Sequence, residues 1–166
     1  MRTTLIAAAA LAAGAAGLAH AQTAAPTPIG VARAVSAAES TLGARAFEAE
    51  LDRERGRLVY EVSLVKDGRA VQAEVDAATG EIVRRTTPKT LRLPLRGENL
   101  KAAQTAPRTL SQTIAAVETA THGKVTDIGL EQRGGRHYYE VELAGAQDRD
   151  ILVDLRTGAI TPQIDD

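Results

Sequence analysis

The chain has 166 residues, 20 of them basic and 21 acidic, and a formal net charge of −1. That balance exerts no long-range pull on polyanions, and 2% aromatic residues are too few for a base-stacking platform, so nucleic acid is excluded as the main partner. There is no cysteine, which removes disulfides, thiolate metal sites, a thiol nucleophile and a lipid-anchoring cysteine.

Met1 and Arg2 give a short positive start, and Leu5 to Ala19 is an uncharged run dominated by Ala and Leu. Ala19-His20-Ala21 then offers small residues at the two positions a signal peptidase reads. The run falls short of the roughly 20 apolar residues of a spanning helix. Residues 1–21 are therefore expected to be a cleaved signal peptide, with cleavage after Ala21 and delivery to the periplasm or the exterior. Residues 22–28 read as a Pro-containing tether, and no later segment is apolar enough to span a membrane.

The first folded unit is expected over residues 29–85. Thr27 reads as an N-cap and Pro28 as a first helical residue. Ile29, Ala32, Val35, Ala38 and Leu42 recur at helical spacing, and Gly43 reads as the terminator. Phe47, Ala49 and Leu51 alternate with Glu48, Glu50 and Asp52, as in a half-buried strand. After the Arg55-Gly56 turn, Leu58, Tyr60, Val62 and Leu64 alternate with Val59, Glu61, Ser63 and Val65. Asp67-Gly68 suits a tight hairpin. Val71, Ala73 and Val75 make a third strand, and Ile82 and Val83 a short fourth.

Residues 86–108 read as a connector with Pro88, Pro94 and Pro107, in which Leu91, Leu93 and Leu95 suggest an extended segment. A second unit spans 109–161, leaving 162–166 as a tail. Its helix begins with a Thr109 to Gln112 capping box, buries Leu110, Ile114 and Val117, and is expected to end at Gly123. Ile128 and Leu130, then Tyr139, Val141 and Leu143, then Ile151 and Val153, then Ile160 mark four strands.

The two units repeat one another. Tyr60-Glu61-Val62 recurs as Tyr139-Glu140-Val141, 79 residues on, and Val75-Asp76 recurs as Val153-Asp154, 78 residues on. Thr79-Gly80 then matches Thr157-Gly158. The expected fold class is α+β: two tandem modules, each a helix covering a small antiparallel sheet. A unit of this size buries too little surface to be secure alone, so the two are expected to pack on each other.

Chemistry is sparse. His122 and His137 sit at unequal positions and read as ordinary polar residues. Asp148, Asp150 and Asp154 lack the spacing and glycine of a calcium loop. Glu48, Glu50 and Asp52 fall on a wet strand face where nothing desolvates them. No nucleophile elbow, phosphate loop or dinucleotide fingerprint is present. Asp76 and Asp154 are placed to accept backbone N–H groups two and three residues on, with Gly80 and Gly158 closing the turn, which is a structural role. Tyr60 and Tyr139 face inward. Tyr138 falls on the opposite face and offers a binding anchor.

Taken together, these residues resemble the PepSY domain: a leading helix, a glycine, a strand, then Tyr-Glu-Val, then a strand ending Asp-x-x-Thr-Gly. The second copy departs by having Gly145-Ala146-Gln147-Asp148 where the first has its Asp-Gly hairpin. The resemblance implies a helix on an antiparallel sheet. It also implies a place among exported modules that control peptidases, with no catalytic residues or cofactor to transfer. The expected function is a non-catalytic protein-binding module acting in trans on a peptidase or a sensor ectodomain. It would present Asp67-Gly68, the loop containing Asp148, and Tyr138. The rival reading is a small-molecule or metal sensor with its ligand in a groove between the units.

Overall fold

The computed structural model describes residues 27–87, 97–145 and 150–162. The leader, the Leu91–Leu93–Leu95 segment and Asp148 lie outside the described residues.

The first helix, α1, spans Val31–Leu42. It begins three residues later than Thr27 and Pro28 suggest: Gly30 is the N-cap, with φ of 93° and no side-chain cap. The entry is tied to the sheet instead. The Ile29 N–H donates to the Ala77 carbonyl at 2.8 Å, and the Gly30 N–H donates to the Tyr60 hydroxyl at 3.0 Å. Ile29 therefore precedes the helix, and the buried stripe is Val31, Ala34, Val35, Ala38 and Leu42, with Ala32 only partly buried. Gly43 closes the helix in the left-handed conformation (φ 56°), as expected.

Four strands follow: β1 (Arg45–Glu54), β2 (Arg57–Lys66), β3 (Arg69–Asp76) and β4 (Ile82–Thr86). Both Arg55-Gly56 and Asp67-Gly68 have two successive positive φ angles, the geometry whose twist matches that of the strands they join. A bulge falls between Ala46 and Glu48, and the extra residue, Phe47, is fully buried. Simple alternation fails on β2, where Val59, Ser63 and Val65 are also buried. This strand lies inside the sheet between β1 and β3, and a further helix packs against it.

That helix, α2 (Gly97–Thr105), lies within what reads as a plain connector. It packs against β1 and β2 and also against β5 (Val125–Arg133), and it buries Ala103 completely. Next comes α3 (Leu110–Thr121), opened by a full capping box. The Gln112 N–H donates to Thr109 Oγ1 at 3.1 Å, and the Thr109 N–H donates to Gln112 Oε1 at 3.0 Å. Its left-handed cap is His122 (φ 55°), not Gly123. Gly123 serves close approach instead, since a Cβ there would sit 2.9 Å from a Leu143 methyl. The chain ends in β5, β6 (Arg136–Leu143), β7 (Ile151–Asp154) and β8 (Ile160–Pro162).

The eight strands of the described residues form one antiparallel sheet in the order β4-β3-β2-β1-β5-β6-β7-β8. The two modules are thus two halves of one sheet, joined where β1 meets β5 through Glu48↔Gly129, Ala49↔Ile128 and Glu50↔Asp127. Helices α1 and α3 pack on each other, and residues of both halves form one core that includes Val35, Tyr60, Val62, Ile114, Ile128, Tyr139 and Val141. Sharing a sheet and a core supplies the burial that neither half could manage alone. Because the equivalent strands β1 and β5 run antiparallel, equivalent features of the halves lie at opposite ends of the sheet.

Candidate functional site

The Asp-x-x-Thr-Gly segments build the most elaborate local geometry. Asp76 Oδ1 accepts the N–H groups of Ala78 and Thr79, both at 3.0 Å, and Oδ2 pairs with Arg57 at 2.7 Å. Asp154 Oδ1 accepts the N–H groups of Arg156 (3.1 Å) and Thr157 (2.8 Å) and the Thr157 hydroxyl (2.9 Å), while Oδ2 pairs with Arg136 at 2.6 Å. These bonds favour the ionised acid. The Arg57 guanidinium, helped by the Thr79 and Ala78 amides, brings the Asp76 carboxyl down to about 2. The Thr157 amide leads in holding Asp154 below its ordinary range. The threonine hydroxyls then accept the N–H two residues on, from Glu81 and Ala159. At the closing glycines (φ 80° and 73°) a side chain would meet the residue that leads into each helix: Ile29 over Gly80 and Arg108 over Gly158. The motif therefore fastens the strand end to the helix entry.

Each turn walls a cleft. In the second half, a cavity of about 370 Å³ is lined by Gly135, Arg136, His137, Asp154, Leu155 and Arg156, with Ala102, Thr105, Ala106 and Pro107 from the α2 end closing one side. In the first half, the equivalent positions Gly56, Arg57, Leu58, Asp76, Ala77 and Ala78, with Arg53, line a cavity of about 250 Å³. Among the described residues, only the second-half cleft is walled by the α2 end. His137 fixes that wall: its Nε2 lies 2.9 Å from Asn99 Oδ1.

The PepSY domain, described as peptidase propeptide and YPEB domain, matches residues 28–86 and 109–161, most of the chain. The chain belongs to the PepSY family. A solved chain described as a candidate lipoprotein from Clostridium difficile 630 is 19% identical, over 78% of this chain and 90% of that one, with a TM-score of 0.43. No curated protein matches.

Within each PepSY copy, the Tyr-Glu-Val residues divide by face. Tyr60 and Tyr139 are buried, and burial pushes both phenols above the ordinary tyrosine range. Val62 and Val141 are core. Glu61 and Glu140 point outward, where Glu61 accepts from Gln72 and Glu140 pairs with Arg133. Burial, then Glu131, raises the Glu140 carboxyl. A further repeated glutamate ties each helix to the strand that follows it. Glu39 of α1 accepts the Ala46 N–H at 3.0 Å, and Glu118 of α3, 79 residues on, accepts the Val125 N–H at 3.2 Å. Only the shared offset of 79 signals this pair.

Of the candidate partner-binding residues, the described ones, Tyr138, Asp67 and Gly68, lie toward one end of the sheet. Tyr138 is half-buried on the outward face, with the Arg136 guanidinium 5.6 Å from its ring centroid, and it pairs in register with Asp154 beside the larger cleft. Asp67-Gly68 is an exposed tip at that same end of the sheet, beyond β1 and β5. The turn at Gly145 lies at the opposite end, because β6 runs opposite to β2. Between the halves, strand pairing of β1 with β5 stands where a groove was expected. Over the joint lies a depression of about 160 Å³ lined by Glu48, Asp127, Gly129, Leu130, Glu131, Glu140 and Glu142. The expectation that Glu48, Glu50 and Asp52 are all fully wet is corrected here: Glu48 and Glu50 are half-buried, and only Asp52 is exposed. Among the described residues no acidic or histidine cluster is arranged to hold a metal ion, and no helix is long and apolar enough to cross a membrane.

Proposed function

We propose that the chain is an exported, non-catalytic protein-binding PepSY protein that regulates a peptidase or a sensor ectodomain in trans. The mature chain would begin at Gln22, with a tether over 22–28, modules over 29–85 and 109–161, a connector over 86–108 and a tail over 162–166. The observation that carries the reading is the end of the second half. There a Tyr138–Arg136 pair, of the residue types that dominate binding hot spots, borders a cleft deepened by α2. The family's description, which joins peptidase propeptides to this domain, supports a peptidase as target.

The test is inhibition of periplasmic peptidase activity on an unfolded substrate by purified 22–166, and by its Tyr138→Ala variant. Dose-dependent inhibition weakened at least tenfold by the substitution is expected. No effect of either protein on peptidase activity or on sensor output would refute the reading. A second reading rests on the larger cleft, whose volume of about 370 Å³ falls in the range of small-molecule sites. A small ligand held there would raise the melting temperature in proportion to the logarithm of its concentration.

A further inference from the structure

The joint between the halves carries an unusual row of acids. Glu61 pairs in register with Glu74 on one side and Glu50 on the other. Glu50 pairs with Asp127 across the joint, and Asp127 pairs with Glu142. Five carboxyl groups thus stand side by side across five neighbouring strands; at the outer end of the row Glu74 is paired with Arg84 and Glu61 accepts from Gln72, which leaves the crowding at the joint. Residues directly opposite in antiparallel strands have Cβ atoms about 5 Å apart, and like charges there repel. The repulsion falls on the shortest pairing between long strands: β1 and β5 share three registered pairs, against nine for β1 with β2 and eight for β5 with β6.

We propose that this joint is a proton-operated latch, closed while Asp127 carries a proton and loosened when that proton leaves. The geometry requires relief at Asp127 in particular. It is half-buried, with Glu50 opposite on β1, Glu142 opposite on β6, and Glu48 and Glu140 on the next row. Arg133, further along β5, reaches back to Glu140 and also pairs with Glu131. On the helix side, Glu39 and Glu118 are spent on the backbone of Ala46 and Val125. Helix α2 meets the β5–β6 pair at its other end, through Asn99 and His137. Burial first, then Glu142, Glu50, Glu48 and Glu140, push the Asp127 carboxyl up to about 7, so the group changes charge near neutrality. The folded state then binds this proton more tightly than an opened joint does. Opening is suppressed at low pH and released as pH rises through the range between the ordinary carboxyl value and about 7.

The experiment is hydrogen exchange of the full mature chain at pH 6 and pH 8 in EDTA, corrected for intrinsic exchange, together with carboxyl-carbon NMR titration. If the opened joint returns Asp127 to its ordinary value, the opening constant of the amides bonded between β1 and β5 should rise about tenfold between those pH values. Amides of β2 and β3 away from the joint should not follow. Asp127→Asn should abolish the rise, and Glu50→Gln should keep it while moving the midpoint to lower pH. The proposal is overturned by an Asp127 midpoint near 4, by an unchanged rise in Asp127→Asn, or by a rise spread evenly over all strands.

Discussion

Ile128→Ala tests whether the two halves fold as one body. Ile128 is fully buried and pairs with Ala49 across the joint and with Val141 within its own half. The substitution removes three carbon atoms, worth roughly 2.5 kcal/mol of transfer free energy at ~0.8 kcal/mol each. Neighbours from both halves hold the site open, so a cavity penalty adds to this, and the total should reach about 3–4 kcal/mol. With a urea slope of about 1–3 kcal/mol/M, the midpoint should fall by roughly 1–4 M. The assay is urea unfolding followed by methyl NMR of Val62 in the first half and Val141 in the second, both core residues. Both signals should move together to the same lower midpoint. If Val141 shifts while Val62 keeps its original transition, the halves are independent and the shared core is refuted.

Two further outcomes follow from the aspartate turns. Asp154→Ala strips partners from the Arg156 and Thr157 amides and from Arg136, and should cost about 2–3 kcal/mol, while Asp154→Asn, which keeps an acceptor oxygen, should cost about 1 kcal/mol. Equal and negligible losses in urea unfolding would show that the turn does not need its carboxylate. The pH dependence of stability should have two limbs. Asp76 is depressed to about 2, so its contribution is complete above its ordinary value and is lost as pH falls toward 2. Asp127 is raised to about 7 and acts oppositely, its penalty growing as pH rises from about 4 to 7. Urea midpoints should therefore peak near pH 4–5, with Asp76→Asn flattening the acid limb alone; an unaltered acid limb in that variant would count against the assignment.

Much of this architecture was legible because local chemistry and the global fold agree. Asp67-Gly68 and Arg55-Gly56 turn where their φ requirements place them, Thr109 and Gln112 cap reciprocally, and the aspartates accept the predicted amides. What stayed hidden depends on distant residues. The start of α1 is set by Tyr60 and Ala77, thirty and more positions away, and so overrides the Thr27-Pro28 signal. Helix α2 has a weak pattern of its own, and its buried positions, Asn99 and Ala103, acquire meaning only against the sheet and His137. Of the candidate site, Tyr138 and the turns could be read directly. The acidic row could not, because alternation gives the face of each strand but not which residue of β5 stands opposite Glu50.

An antiparallel joint between duplicated halves makes a double-headed object. Whatever grips the cleft beside Asp154 leaves the one beside Asp76 pointing away from it, clear of the bound body and available to a second. Among the described residues only the mouth beside Asp154 carries the α2 wall, so the two heads present different surfaces.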